Sequence, residues 1–96
     1  AHMLAVQIYA KEEDKGMRLA ELLAQSAKKT PVNLQIIGPA AASIGRINDI
    51  FRFVFYVKQQ NYDKLIQTKD VLEKEIKRLQ PKGETVQFDF DPLNVL

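Results

Sequence analysis

Arg46, Arg52 and Lys58 run through the middle of the chain with Tyr56 among them. Cations of this kind can neutralise phosphates, and a ring such as Tyr56 or Tyr9 offers a base a surface to stack on. Near the end of the chain, Asp89 and Asp91 alternate around Phe90. Two carboxylates on one strand face invite a metal or acid–base reading, but a hard-metal site needs more oxygen ligands than this pair supplies. Cysteine is absent, and the single histidine, His2, sits in Ala1-His2-Met3, which reads as a cloning scar followed by a start codon. Asp89 and Asp91 are therefore expected to be structural, balancing Arg52 or Lys58 across strands. Asp91 is also expected to accept backbone donors in the turn at Pro92. Gly38 and Gly45 do not build a phosphate loop, because the Lys-Ser/Thr pair of that motif is missing.

These residues must be positioned by one small domain. The 96 residues, 46% of them hydrophobic, suffice for a single core spanning residues 4–96. No apolar run approaches the roughly 20 residues of a membrane helix, so no membrane is expected among the partners. The net charge of +2 is too small to announce nucleic acid by itself. Its distribution says more. From Arg46 to Lys82, nine basic residues face five acidic ones, while the stretch beyond is acidic.

Hydrophobic periodicity gives the element order. Leu4 to Lys11 alternates as a strand. Glu12-Glu13-Asp14 then opens a helix carrying Leu19, Leu22, Leu23 and Ala27, with Gly16 weakening its first turn and Thr30-Pro31 ending it. Val32 to Ile37 reads as a second strand closed by Gly38-Pro39. The segment from Gly38 to Asp49 has no clear period and reads as a loop, long for a hairpin. Ile50 to Lys58 is an aromatic third strand. A second helix runs from Asn61 to about Leu79, with Leu65, Leu72, Ile76 and Leu79 on one stripe. Val86 to Phe90 is the last strand. The order βαββαβ predicts an α+β ferredoxin-like fold, a four-stranded antiparallel sheet with two helices on one face. The uncovered face would carry Gln7, Tyr9, Gln35, Arg52, Tyr56, Lys58, Asp89 and Asp91.

Phe51-x-Phe53-Val54-x-Tyr56 imitates an RNA-recognition octamer, whose chemistry needs exposed stacking rings. Here Phe51 and Phe53 share the wholly apolar side with Phe55 and Val57, so they are expected in the core. Ile50 and Arg52 also replace the small residues of that octamer. The lysine-rich outer face of the second helix is intermixed with acids and reads as solvated.

Several features together resemble one family: the first strand running into Lys11-Glu12-Glu13-Asp14, then Ile36-Ile37-Gly38-Pro39-Ala40, then Phe51-Arg52-Phe53, and Asp89-Phe90-Asp91-Pro92 at the end. The set is similar to the C-terminal domain of primosomal protein N′, the replication-restart helicase PriA, over about Leu4 to Leu96. The resemblance implies the fold of ribosomal protein S10, in agreement with the βαββαβ order. It also implies a bacterial cytoplasmic parent, an ATP-driven 3′-to-5′ DNA helicase that recognises stalled forks and assembles the primosome. The parent's cofactors would be ATP, magnesium and zinc. Its nucleotide motifs and zinc cysteines are missing here, so this chain is expected to be non-catalytic and to hold none of them.

By position, Gly38, Pro39, Asp89, Asp91 and Pro92 match the family's structural motifs, and Arg52 matches the arginine before the strand aromatic. Ile50 stands where many members carry another arginine, and Phe53 where a tryptophan is common. The expected role is DNA binding, to forked or single-stranded DNA, through Arg46, Arg52, Tyr56 and Lys58. The alternative is a protein-interaction module that docks on the rest of the helicase or holds the tail of single-stranded DNA-binding protein. Lys64, Leu93 and Leu96 would then be contact residues, and an apolar patch around Ile37, Val54, Leu93 and Leu96 would favour that alternative.

Overall fold

A computed structural model of the chain describes residues 2–30 and 33–91, and of 43–47 it describes the backbone alone. The elements follow as β1 (His2–Ala10), α1 (Glu13–Lys28), β2 (Gln35–Ile47), β3 (Ile50–Gln59), α2 (Tyr62–Leu79) and β4 (Glu84–Phe90). The strands form one four-stranded sheet in the order β2-β3-β1-β4, each neighbour antiparallel. This is the expected α+β ferredoxin-like arrangement.

Alternation along the strands sets which face is covered. Register places Val57, Leu4 and Phe90 in one row across the sheet, then Phe55, Val6 and Phe88, then Phe53, Ile8 and Val86. Leu4, Val6, Ile8, Phe55 and Val57 lose all solvent contact under the helices. Leu19, Leu23 and Ala27 of α1 and Leu65 and Leu72 of α2 complete this core. Phe53 and Phe55 are thus closed to bases, as their side of the strand implied. Leu22 departs from its expected place, because it turns outward and is 37% exposed. Thr68 is buried within α2 and stays satisfied by donating its hydroxyl to the Lys64 carbonyl at 2.9 Å.

Gly16 does more than loosen a first turn. It is buried within α1. A Cβ there would stand 2.7 Å from Phe53 Cε2 and 2.8 Å from Ala10 Cβ. The missing side chain is what lets α1 lie this close to the sheet. The second helix starts as its sequence implies, with the Asn61 side chain accepting the Lys64 N–H at 3.3 Å. It ends at Gln80, which takes a left-handed conformation.

The segment from Gly38 to Asp49 is a correction. It is no loop, because β2 continues to Ile47. The connection to β3 is the pair Asn48-Asp49, with φ of 53° and 63°. Positive φ at both central residues is the type I′ geometry that suits the twist of a hairpin, and Asn and Asp tolerate it. Register slips between Ile37 and Ala40, and again between Ala41 and Arg46, and these irregularities erase the period-two pattern. Gly38 sits at the first slip with φ of 93°, where an added Cβ would meet the Val54 carbonyl oxygen at 3.0 Å. The expected start of this strand at Val32 lies outside the described residues.

Candidate nucleic-acid interface

The helices cover one face of the sheet and leave the other open. Register assembles that open face row by row. Gln35, Lys58 and Met3 stand side by side at one end. The next row is Ile37, Tyr56, Ala5 and Asp89, followed by Ala40, Val54, Gln7 and Gln87. Arg52, Tyr9 and Thr85 form the far row. The two cations therefore sit at opposite ends of β3, about 20 Å apart at ~3.3 Å per residue, with Tyr56 between them.

The middle of this face is more apolar than its polar residues imply. Ala5 is only 2% exposed although it points away from the helices. Ile37, directly opposite Tyr56, is 42% exposed. Tyr56, Val54 and Ile37 together form a platform on which a planar group can rest. Tyr9, the cross-strand neighbour of Arg52, donates its hydroxyl to Gln7 Oε1 at 2.9 Å, which leans its ring towards the middle of the face.

Among the described residues neither Arg52 nor Lys58 is ion-paired. The expected balance by Asp89 and Asp91 is overturned. Asp91 accepts the His2 Nδ1–H at 3.0 Å and the Met3 backbone N–H at 2.8 Å. It caps the end of β1, on the strand beside its own, and its backbone N–H donates to the Met3 carbonyl at 2.7 Å. Its described backbone partner is on β1, and the turn at Pro92 lies outside the described residues. Asp89 lies in the Tyr56 row, separated from β3 by the whole width of β1. Both cations keep their charge available to a partner.

The His2 bond, followed by the Met3 N–H, holds the Asp91 carboxyl below its ordinary value of 3.8. A carboxyl lowered by folding contributes stability that is fully present above the unfolded value and is lost as pH falls through the folded one. An acid titration of the unfolding midpoint should therefore show a component below about pH 4 that Asp91→Asn removes. Superimposable acid limbs for the two proteins would contradict this coupling.

Arg46 pairs through its backbone with Phe51 beside the hairpin turn, so it belongs to β2 and not to a loop. Lys64 is exposed on the first turn of α2 and joins Lys58 in lining a groove at the sheet's end. Gln35, Gln59 and Gln60 line it too. Gln59 and Gln60 carried no sequence signal, since they stand where β3 ends and periodicity has run out. Pro92, Leu93 and Leu96 lie outside the described residues. Among the described residues no cluster of three or more His, Cys, Asp or Glu could hold a metal ion, and no helix is long and apolar enough to cross a membrane.

A family model described as the primosomal protein N C-terminal domain matches residues 1–93. No curated protein matches the chain in sequence. Among solved structures, the de novo designed protein Foldit4 is similar with a TM-score of 0.73 at 14% identity, covering 97% of this chain and 98% of that one. A hydantoinase/carbamoylase family amidase from Burkholderia ambifaria is similar with a TM-score of 0.60 at 11% identity, covering 93% of this chain and 26% of that one. Likeness at such identities speaks to the fold alone.

Proposed function

This chain belongs to the primosomal protein N C-terminal domain family, and from that premise we propose that its open sheet face contacts DNA for a replication-restart helicase. Membership places the domain in primosomal DNA replication. The finer reading is ours. The observation that supports it is the pair of cations, Arg52 and Lys58, without an ion pair among the described residues, flanking Tyr56 on the face that the helices leave bare. Arg52 and Lys58 neutralise phosphates, and the Tyr56 platform takes a base. The domain does no chemistry of its own. ATP, magnesium and zinc are held elsewhere in a parent that unwinds DNA 3′-to-5′ at stalled forks in the bacterial cytoplasm.

Binding by so few charges is weak and falls with salt, by about 0.7 in log–log slope for each phosphate neutralised on a single strand. Titration of forked and single-stranded DNA at two salt concentrations tests this. Arg52→Ala should weaken binding roughly tenfold, the scale of one hydrogen-bonded charge, and should flatten the salt dependence. Equal affinities for Arg52→Ala and the unaltered chain would remove the DNA reading.

A second reading rests on the exposure of Ile37 beside Tyr56 and Val54. An apolar patch at that place suits docking against the rest of the helicase or against single-stranded DNA-binding protein. Under this reading Ile37→Ser abolishes docking to a protein partner, whereas under the DNA reading it weakens DNA binding.

A further inference from the structure

The open face does not end flat. Beyond its Lys58 row, the end of β3 turns towards α2 beside a groove of about 580 Å³. Lys58 belongs to both, since it closes the open face and also lines the groove. Lys64 lines the far side, and among the described residues no carboxylate lines any part of it. Its other polar lining residues include Asn33, Gln35, Gln59 and Gln60, whose carboxamides can donate to an anionic oxygen.

The groove wall is built. Gln59 donates its Nε2–H to the Asn33 carbonyl and accepts the Asn61 N–H at Oε1, at 3.2 Å. One side chain thereby ties the segment before β2 to the start of α2. Asn61 in turn caps the Lys64 N–H, which fixes the backbone that carries the second lysine. Lys64 itself is exposed and makes no ion pair among the described residues.

We propose that this groove is an exit subsite for single-stranded DNA. A strand that crosses the open face from Arg52 to Lys58 turns over the end of the sheet, and its next phosphate is held between Lys58 and Lys64. The inference rests on the DNA reading of the open face. Its added content is strand selection. A single strand can change direction within one nucleotide, whereas duplex DNA stays stiff over ~150 bp and cannot follow the rim. The domain therefore prefers single strands, and the preference comes from the Lys64 side of the groove.

The test compares the unaltered chain, Arg52→Ala and Lys64→Ala against oligothymidylates of about 4 and about 12 nucleotides, a span typical of single-strand sites, and against a duplex. Lys64→Ala should lower affinity for the longer single strand severalfold and reduce its salt slope by about 0.7. Duplex affinity should not move. An unchanged melting curve shows that the exposed substitution leaves the fold intact. If Arg52→Ala weakens binding and Lys64→Ala does not, the exit subsite is wrong while the open face keeps its role. The exit subsite is equally wrong if Lys64→Ala instead costs affinity for an acidic peptide, or weakens single strand and duplex alike. If Arg52→Ala has no effect, the DNA reading itself falls and takes this inference with it.

Discussion

Phe55→Ala is expected to cost about 3–5 kcal/mol, the range for truncating a buried aromatic side chain. The ring has no solvent exposure and lies in the middle row of the covered face, beside Val6 and in line with Phe88. Both helices and the sheet close over this region, so the surroundings cannot collapse into the space left behind. A domain of this length has a total stability of roughly 5–15 kcal/mol. The loss should lower the thermal midpoint by more than about 10 °C, at ~4–8 °C per kcal/mol. Circular dichroism melts of the two proteins measure it directly. A shift of only a degree or two would mean that Phe55 is not the centre of the core. Arg52 and Lys58 share its strand but point to the other face. Below its midpoint the variant should therefore bind DNA as the unaltered chain does, which separates folding from the interface.

Gly16→Val is expected to be the second most damaging change, at about 1–3 kcal/mol for forced overpacking. The new Cβ would stand 2.7 Å from the Phe53 ring and 2.8 Å from Ala10 Cβ, and both neighbours are themselves buried. Neither can step aside without moving β1 or β3. Gly16→Ala makes the sharper comparison. Alanine gains about 1 kcal/mol of helix propensity over glycine, so the clash and the propensity oppose each other. Valine adds two methyl groups to the same clash and brings poorer helix propensity. The expected order of midpoints in urea is therefore glycine, then alanine, then valine. A Gly16→Ala chain more stable than the unaltered one would show that α1 has room to back away from the sheet.

Much of this architecture was legible because its strands alternate cleanly. Leu4, Val6, Ile8 and Ala10 announced a buried face, as did Phe51, Phe53, Phe55 and Val57, and each is buried except Phe51, which is half-buried against the core. Asn61 and Pro81 bracketed α2 to within a residue or two of its observed limits. The rest depends on contacts that no local pattern encodes. Gly16 read as a weak helical residue, since only the approach of Phe53 gives it a purpose. Residues Ala40 to Ser43 are small, and the register slips around them leave no alternation to read, so a strand passed for a loop. The sign of its end was present in Asn48-Asp49 between Ile47 and Ile50. Of the proposed interface, Arg52, Tyr56 and Lys58 could be assigned to one face from spacing alone. The freedom of the two cations could not, because it depends on Asp91 finding partners at the other end of the sequence, on β1. The groove beside Lys64 was equally hidden, being made where β3 ends and α2 begins.

The meeting of His2, Met3 and Asp91 has a mechanical consequence. β1 and β4 are antiparallel neighbours, so the beginning of the first lies beside the end of the second. A pull that separates His2 from Asp91 acts across the row of hydrogen bonds and loads them singly, from the Leu4–Phe90 pair towards Ala10–Glu84. The seam opens like a zip fastener. A shearing load would instead strain every bond in the row together. The Asp91 carboxylate, holding both the His2 ring and the Met3 amide, is the clasp at the top of that fastener. Tension applied across these two strand ends would thus be felt first at one carboxylate.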